Sequence, residues 1–99
     1  MTFSEFRLAL FTGLVNTEFE VLDDPAASFS LVLTAIVEHL STAQHEAFSL
    51  FFHGPAEQFL PQSSHRLKHA SLGELELFLV PVAREKDGFQ YEAVFNLLL

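Results

Sequence analysis

The apolar residues of segment 17–97 recur mainly at every second position, and this period constrains the fold more than any other feature of the chain. Near its start, Phe19 and Val21 alternate with Glu18 and Glu20. The alternation returns near its end, in the apolar set Phe89, Tyr91, Ala93, Phe95 and Leu97. A period of two is typical of β-strands that bury one face. We therefore expect strands along most of the chain.

Four further strands are predicted between these two, over segments 29–40, 48–53, 65–69 and 74–83. Segment 29–40 is fairly apolar on both faces, which favours a central strand. A helix over residues 31–40 is the alternative for the same stretch. The polar segment 41–47 is predicted to be a loop.

Turn-forming residues separate the strands. Pro25 lies in a polar turn at 23–28, and Asp87-Gly88 is a strong hairpin signal before the last strand. The last three strands are therefore expected to form a meander. Pro81 stands inside a predicted strand and has no N–H to donate, so this strand must be bulged there or lie at a sheet edge.

One short helix is predicted before the strands, over residues 2–12. Its apolar residues lie at steps of three and four, the spacing of one helical face, namely Phe3, Phe6, Leu10 and Leu14. A chain of 99 residues rarely supports two cores, so residues 1–99 are expected to form one domain. About six antiparallel strands must curl or fold over to cover their apolar face. The predicted fold is a small, mostly antiparallel β barrel or sandwich with one short N-terminal helix.

The charge of the chain limits the kinds of molecule that it can bind. Thirteen acidic and five basic residues give a formal net charge of −8, which repels phosphate backbones and anionic lipid headgroups. We therefore expect no binding to nucleic acid or membranes. The chain has no cysteine for a thiolate nucleophile or a zinc site. We identify no signal peptide or membrane-spanning stretch, and the expected location is the cytoplasm.

The histidines in segment 65–69 raise the question of a metal or catalytic site. On a strand His65 and His69 share one face, with Cα atoms about 13 Å apart. That separation is too large for both to ligate one metal, at Zn–N distances of about 2 Å, without a third element. A metal-dependent enzyme that uses His53, His65 and His69 is therefore the least favoured hypothesis. We expect no metal and no other cofactor.

Other catalytic patterns are weaker still. Ser63 and Ser64 precede His65, but sequence neighbours cannot adopt the base–nucleophile geometry of a triad. Glu74 and Glu76 point to one face of their strand, and alternation with leucines is typical of a solvated face. We therefore expect no catalytic residues and a protein that is not an enzyme.

Apolar residues are abundant instead, at 49% of the chain with twelve Phe, so some are expected on the surface. Contiguous exposed apolar patches usually mark contacts. Alternation turns Phe51, Phe78 and Val80 away from the core side of their strands, where they form an interface patch or the second wall of a closed barrel. The strand with Pro81 offers an edge to which another chain can add. The interface candidates are Phe51, Phe78, Val80, Pro81 and Val82.

Four sequence stretches carry a family resemblance, and they lie in order within residues 48–96: FSLFFHGP, LPQSSHRLKH, LGELELFLVPV and YEAVFN. Together they resemble a family of small bacterial proteins catalogued as a domain of unknown function. The resemblance implies a short β-rich protein, encoded near phage-derived genes that are similar to tail-collar genes. It supplies no catalytic residues. This chain has His65 where similar sequences often have an aromatic residue, which argues further against a catalytic His65.

Three functions follow from these features. The first is a non-enzymatic interaction or assembly module that associates with itself or with a larger protein, for example a phage-tail-like or exported one. The second is a small barrel that binds an apolar ligand, which ranks lower because six short strands leave little interior beyond packed side chains. The metal-dependent enzyme ranks last. The expected partner is therefore another protein or a second copy of the chain.

Overall fold

The structure is a computed structural model that describes residues 6–23 and 28–99, so the predicted roles of Phe3 and Pro25 lie outside the described residues. The elements, in chain order, are α1 (Leu8–Phe11), β1 (Glu18–Val21), β2 (Phe29–Ser41), β3 (His45–Pro55), β4 (Ser63–His69), β5 (Gly73–Glu85) and β6 (Gly88–Leu98). The strands form one antiparallel sheet that closes in the order β1-β2-β3-β6-β5-β4. The prediction of a mostly β fold is confirmed, and the architecture is a closed barrel.

Strands β4, β5 and β6 are neighbours in the sheet, which confirms the predicted meander. Lys86 and Asp87 form the turn between β5 and β6. Gly88 begins β6 where the backbones of β3 and β6 come close together. A Cβ atom at Gly88 would overlap the carbonyl oxygen of Gly54 and approach His53 Nε2 to 2.8 Å. Close backbone approach, and not a positive φ angle, is therefore what requires glycine at this position.

Pro81 lies at an irregularity of β5, as the sequence predicts. The ladder between β5 and β6 shifts register between Pro81 and Ala83. The ladder between β5 and β4 has already ended at Leu79. The missing N–H of Pro81 therefore falls at a bulge and beyond the reach of β4.

Strand β2 confirms the central strand and excludes the alternative helix over residues 31–40. Its alternation is interrupted by a register shift between Leu33 and Ala35, and by a second shift further along the strand. A bulge adds one residue and changes which residues point into the barrel. Ala35 and Val37, predicted on the same face as Leu33, are therefore exposed, and Ile36 packs against the core instead.

Strand β3 begins at His45, so much of the predicted loop 41–47 is strand. Glu46 points inward and is buried, and its Oε1 accepts a hydrogen bond of 2.6 Å from the backbone N–H of Leu8. This carboxylate serves the first turn of α1, whose own N-cap residue, Arg7, makes no capping bond. Within the described residues the helix is shorter than the predicted range 2–12, because Arg7 is extended and α1 ends at Phe11, and residues 2–5 of that range lie outside the described residues.

The core fills the barrel and continues between α1 and the inner face of β3 and β6. Four aromatic rings pack where the helix covers the sheet. Phe48 and Phe95 stack with centroids 4.8 Å apart, and Phe6 and Phe11 meet Phe95 at 6.0 and 5.9 Å. Such ring pairs add to the free energy gained from burial alone. This packing covers the inner faces of β3 and β6. The outer faces of these two strands remain open to solvent.

Strand β5 changes its neighbour halfway along its length. Residues 73–79 pair with β4, whereas residues 80–85 pair with β6. A cavity of about 310 Å³ lies between the first half of β5 and the second half of β6. We call it the seam cavity, and its lining includes Phe6, Leu77, Phe78, Ala93, Val94 and Phe95.

Candidate interaction surface

The outer surface of the barrel has a strongly charged side, which we call the charged wall. It is formed by outward residues of β1, β4 and the first half of β5, namely Glu18, Glu20, Arg66, Lys68, Glu74 and Glu76. In the strand register, Lys68 lies opposite Glu20 of β1 and opposite Glu74 of β5. Arg66 Nη2 donates a hydrogen bond of 2.9 Å to Glu74 Oε1. Opposite charges across strands stabilise the sheet modestly. The prediction that Glu74 and Glu76 form a solvated face is confirmed, since both are exposed.

The longer strands carry a second and different surface, which we call the apolar face. It consists of Val37, Leu40, Phe51, Phe78, Val80, Val94 and Leu98. The strand register places these residues on adjacent strands: Phe51 and Val80 both lie opposite Glu92, and Ser49 lies between Val37 and Val94. Phe51 and Val80 are half-buried, and the other five are exposed, from 42% for Val37 to 62% for Val94 and 88% for Leu98.

Very little charge interrupts the apolar face. Among the outward positions of β2, β3 and β6 between these apolar residues, Glu92 is the one carboxylate that the described register places there. The polar side chains pair with one another: His39 Nε2 lies 3.0 Å from Ser49 Oγ, and His45 Nε2 bonds to Asn96 Oδ1. Paired polar groups cost less to desolvate than unpaired ones. The face is therefore suited to being covered by another molecule.

The structure brings some of the interface candidates together and separates others. Phe51 and Val80 flank the same carboxylate, and Phe78 is 53% exposed at the mouth of the seam cavity. Val82 lies in the bulge with 44% of its surface exposed. Pro81 is half-buried and offers less surface for contact.

Four members of the apolar face were absent from the sequence-based candidates: Val37, Leu40, Val94 and Leu98. Val94 and Leu98 could have been found, because they alternate with the predicted inward residues of the last strand. Val37 could not be found in that way. The bulge in β2 reverses the phase of alternation before Val37, and the sequence carries no clear signal for this bulge.

His65 and His69 share one face of β4, as predicted, and this is the inner face, where both are buried. His65 Nδ1 bonds to the carboxylate of Asp23, and its Nε2 lies 2.8 Å from the carbonyl oxygen of Pro61. Both partners are acceptors, so both ring nitrogens can donate only when the imidazole is protonated. This arrangement holds two loops against β4.

The residues that surround His65 also determine the pKa of Asp23. Burial by itself raises the pKa of the Asp23 carboxyl, but four favourable effects outweigh it. They are the hydrogen bonds from the Arg66 backbone N–H and from His65, and the positive charges of these two residues. The pKa of Asp23 therefore lies below its usual value of 3.8.

His69 has a different set of partners. The backbone N–H of Ser71 donates to its Nδ1 at 3.0 Å, so Nε2 carries the proton and faces Thr17 Oγ1 at 2.9 Å. The Thr17 hydroxyl in turn donates to the carbonyl of Leu14 at 2.6 Å. His69 is thus a neutral, fully bonded ring that ties β4 to the loop before β1.

The third predicted histidine, His53, lies on β3 and contacts Asp87 Oδ1 at 3.3 Å. The hydrogen-bonding partners of His65 and His69 leave neither ring nitrogen of these two residues free for a metal. In the described ranges 6–23 and 28–99, no group of three or more histidine or acidic side chains is placed to hold a metal ion. The histidines act here as structural bonds between segments.

Tyr91 positions the loop between β3 and β4. Its ring is fully buried, and its hydroxyl accepts a hydrogen bond of 3.0 Å from the Leu60 N–H. Burial raises the pKa of the Tyr91 hydroxyl, and the Leu60 bond opposes part of that rise. Leu60 is buried, whereas Phe59 is 54% exposed and rests on Phe89 with centroids 5.0 Å apart.

These features define a small closed β-barrel domain with a charged wall and an apolar outer face. The chain belongs to the family described as Domain of unknown function (DUF6916), whose model matches residues 6–95. The sequence-based resemblance to a domain of unknown function is confirmed at that level. Comparison with curated proteins and with solved structures found no match. Among the described residues, no helix has the length and hydropathy needed to cross a membrane.

Proposed function

We propose that this protein is a non-enzymatic interaction module that assembles with itself or with a larger protein through the apolar face. The proposal rests on one observation: apolar side chains that are 42–88% exposed lie on adjacent strands with one carboxylate among them. Covering such a surface gains about 25 cal/mol for each Å² of apolar area removed from water. Contiguous apolar patches of this kind usually mark contact sites.

The charges of the molecule support a protein partner. The net charge of −8 disfavours nucleic acid and anionic membranes, and the apolar face has no cluster of basic residues to bind phosphate. The bacterial, phage-derived setting implied by the sequence resemblance would make a phage-tail-like or exported protein the larger partner. Assembly in the cytoplasm is part of the same proposal.

Photocrosslinking in the native host cell tests this function. Benzoylphenylalanine replaces Phe78 on the apolar face or, as the control, Phe59, which is equally exposed but lies off that face. We expect a covalent adduct of discrete mass from position 78 after irradiation, and much less from position 59. Equal labelling at the two positions, or no adduct from position 78, would contradict the proposed function.

The seam cavity favours a second candidate function, the binding of a small apolar ligand. Its volume of about 310 Å³ lies at the lower end of the range for ligand pockets, roughly 300–1,000 Å³. Phe6, Leu77, Ala93 and Phe95 provide the apolar part of its lining, and Ser64 and Glu76 add polar groups at which a ligand head group can bind. Native mass spectrometry of the purified protein, with and without medium-chain fatty acids, tests this candidate. It is abandoned if no added mass is bound and the melting temperature does not rise.

A further inference from the structure

We infer that a second copy of this chain covers the apolar face, in a two-fold dimer whose sheets pack face to face. This inference rests on the proposed function and names its partner. Charge, surface relief and area on this face each favour a second copy.

Charge restricts where two copies can meet. Each copy carries a net charge of −8, so most pairs of surfaces would bring carboxylates together. The charged wall alone contributes four glutamates against two basic residues. On the apolar face, the register places the half-buried Glu92 among the apolar residues, and Glu76 lies beside Phe78 at the border with the charged wall. This face therefore brings two copies together with the least repulsion, whereas a strongly basic partner would find its complement on the charged wall.

The relief of the apolar face is complementary to itself. Ser49 on β3 is fully buried, with His39 Nε2 3.0 Å from its Oγ, and the small, half-buried Ala47 beside it forms a trough between Leu40 and Asn96. Val94 and Leu98 on the neighbouring β6 form a ridge beside this trough, with exposed fractions of 62% and 88%. When two copies are related by a two-fold axis, the ridge of each copy lies over the trough of the other, so the two contacts are identical. Side chains of two sheets packed in this way interdigitate with the sheets about 10 Å apart.

The size of the face also suits a weak dimer. Four strands about 4.8 Å apart and about seven residues of 3.3 Å along β3 give a projected area of about 400 Å². The accessible surface of a corrugated face exceeds its projection, so two copies reach the roughly 1,000 Å² in total that a specific interface needs. This total lies at the low end for specific interfaces, where weak and transient complexes are found, so we expect dissociation in the micromolar range.

Sedimentation velocity of the purified protein tests the inference. Over a range of about 1 to 500 μM, chosen to bracket micromolar dissociation, we expect the mass to rise from 11.1 kDa towards twice that value. Val94→Lys places a charge on the ridge and should weaken dimerisation at least tenfold, about 1.4 kcal/mol. Leu98→Lys should act in the same way, and its 88% exposure leaves the fold undisturbed if Val94→Lys proves unstable. Phe59→Lys, off the apolar face, is the matched control and should dimerise like the wild type.

Two results would overturn the inference that a second copy covers the apolar face. One is a wild-type protein that stays monomeric at every concentration, and the other is equal dimerisation by the Leu98→Lys and Phe59→Lys variants. The photocrosslinking experiment distinguishes a failure of the dimer inference from a failure of the proposed function. A monomeric purified protein that still forms a position-78 adduct with a different protein in cells would retain the proposed function. A monomeric protein without such an adduct would lose both.

Discussion

Glycine at position 88 is required by its neighbour across the sheet. The carbonyl of Gly54 occupies the space where a Cβ atom would stand, and backbone atoms of a paired strand cannot move away as a flexible side chain can. We expect Gly88→Ala to lower the free energy of unfolding by about 1–3 kcal/mol, the usual cost of overpacking. Urea unfolding measures this loss. Gly13→Ala is the control, because a Cβ atom there meets nothing within 4 Å, and an equal loss in both variants would contradict the explanation.

The carboxyl of Asp23 makes stability depend on acid pH. Because the fold lowers the pKa of Asp23, the ionised carboxylate stabilises the protein above the usual value of 3.8. This contribution is lost as the pH falls through the lower pKa of the folded state. We therefore expect Asp23→Asn to destabilise the protein at pH 7 and to reduce the loss of stability between pH 5 and pH 3.

Urea unfolding at several pH values measures the effect of Asp23. Glu57→Gln is the control, because Glu57 lies in an exposed loop. The difference between wild type and Asp23→Asn should shrink as the pH falls. A difference that stays constant with pH would show that Asp23 acts through packing and not through its charge.

Among the elements, α1 depends most on a residue outside itself. Four residues are too few for a stable isolated helix, and α1 is held by its apolar side chains and by Glu46 on β3. Glu46→Ala leaves the Leu8 N–H without its acceptor and should cost about 1–3 kcal/mol. Glu46→Gln keeps an oxygen acceptor and should cost less.

Denaturant unfolding and hydrogen exchange at the Leu8 amide test the role of Glu46. Arg7→Ala is the control for the ion pair alone, whose nitrogen–oxygen distance is 3.5 Å with Arg7 about half exposed. An exposed pair of this kind contributes at most about 1 kcal/mol. If Arg7→Ala cost as much as Glu46→Ala, the ion pair and not the hydrogen bond to Leu8 would anchor the helix.

The elements also show which structural features the sequence reveals. Alternation in the meander β4–β6 predicts the strands and their inward faces, and Pro81 predicts a bulge or a sheet edge, because local period and proline chemistry decide these features. The inward position of Glu46 could not be predicted, because its partner lies 38 residues away in the chain. The apolar face was found only in part for a related reason: the outward position of Val37 depends on a bulge that pairing with β3 creates.

At the scale of the whole molecule, charged and apolar residues lie on different sides of the barrel. The charged wall lies on β1, β4 and the first residues of β5, and the apolar face lies on β2, β3, β6 and the middle of β5. The barrel measures 42 Å along its greatest dimension. The charged wall and the surface proposed to bind a partner therefore meet on β5, where Glu76 and Phe78 are neighbours on the outer face. Away from this strand, variants of either surface can be made without altering the other.

This division predicts an unusual salt dependence for the proposed dimer. Two copies of charge −8 repel each other, and salt screens this repulsion because the Debye length falls from about 30 Å at 0.01 M to about 8 Å at 0.15 M. Few interfacial ion pairs exist for salt to weaken. We expect severalfold tighter dimerisation at the higher salt concentration, measured by sedimentation equilibrium. Weaker dimerisation in salt would show that ion pairs hold the copies together.

The bulge between Leu33 and Ala35 has a consequence for changes in chain length. Thr34 and Ala35 together occupy the space opposite Phe51 that one residue fills in a regular ladder. Deletion of Thr34 would restore a regular ladder and leave Val37 pointing outward. Deletion of Ile36 with both bulges kept would instead place Val37 opposite Leu50 and turn its side chain to the inside. A shortening by one residue thus preserves the apolar face where it removes the extra residue of a bulge.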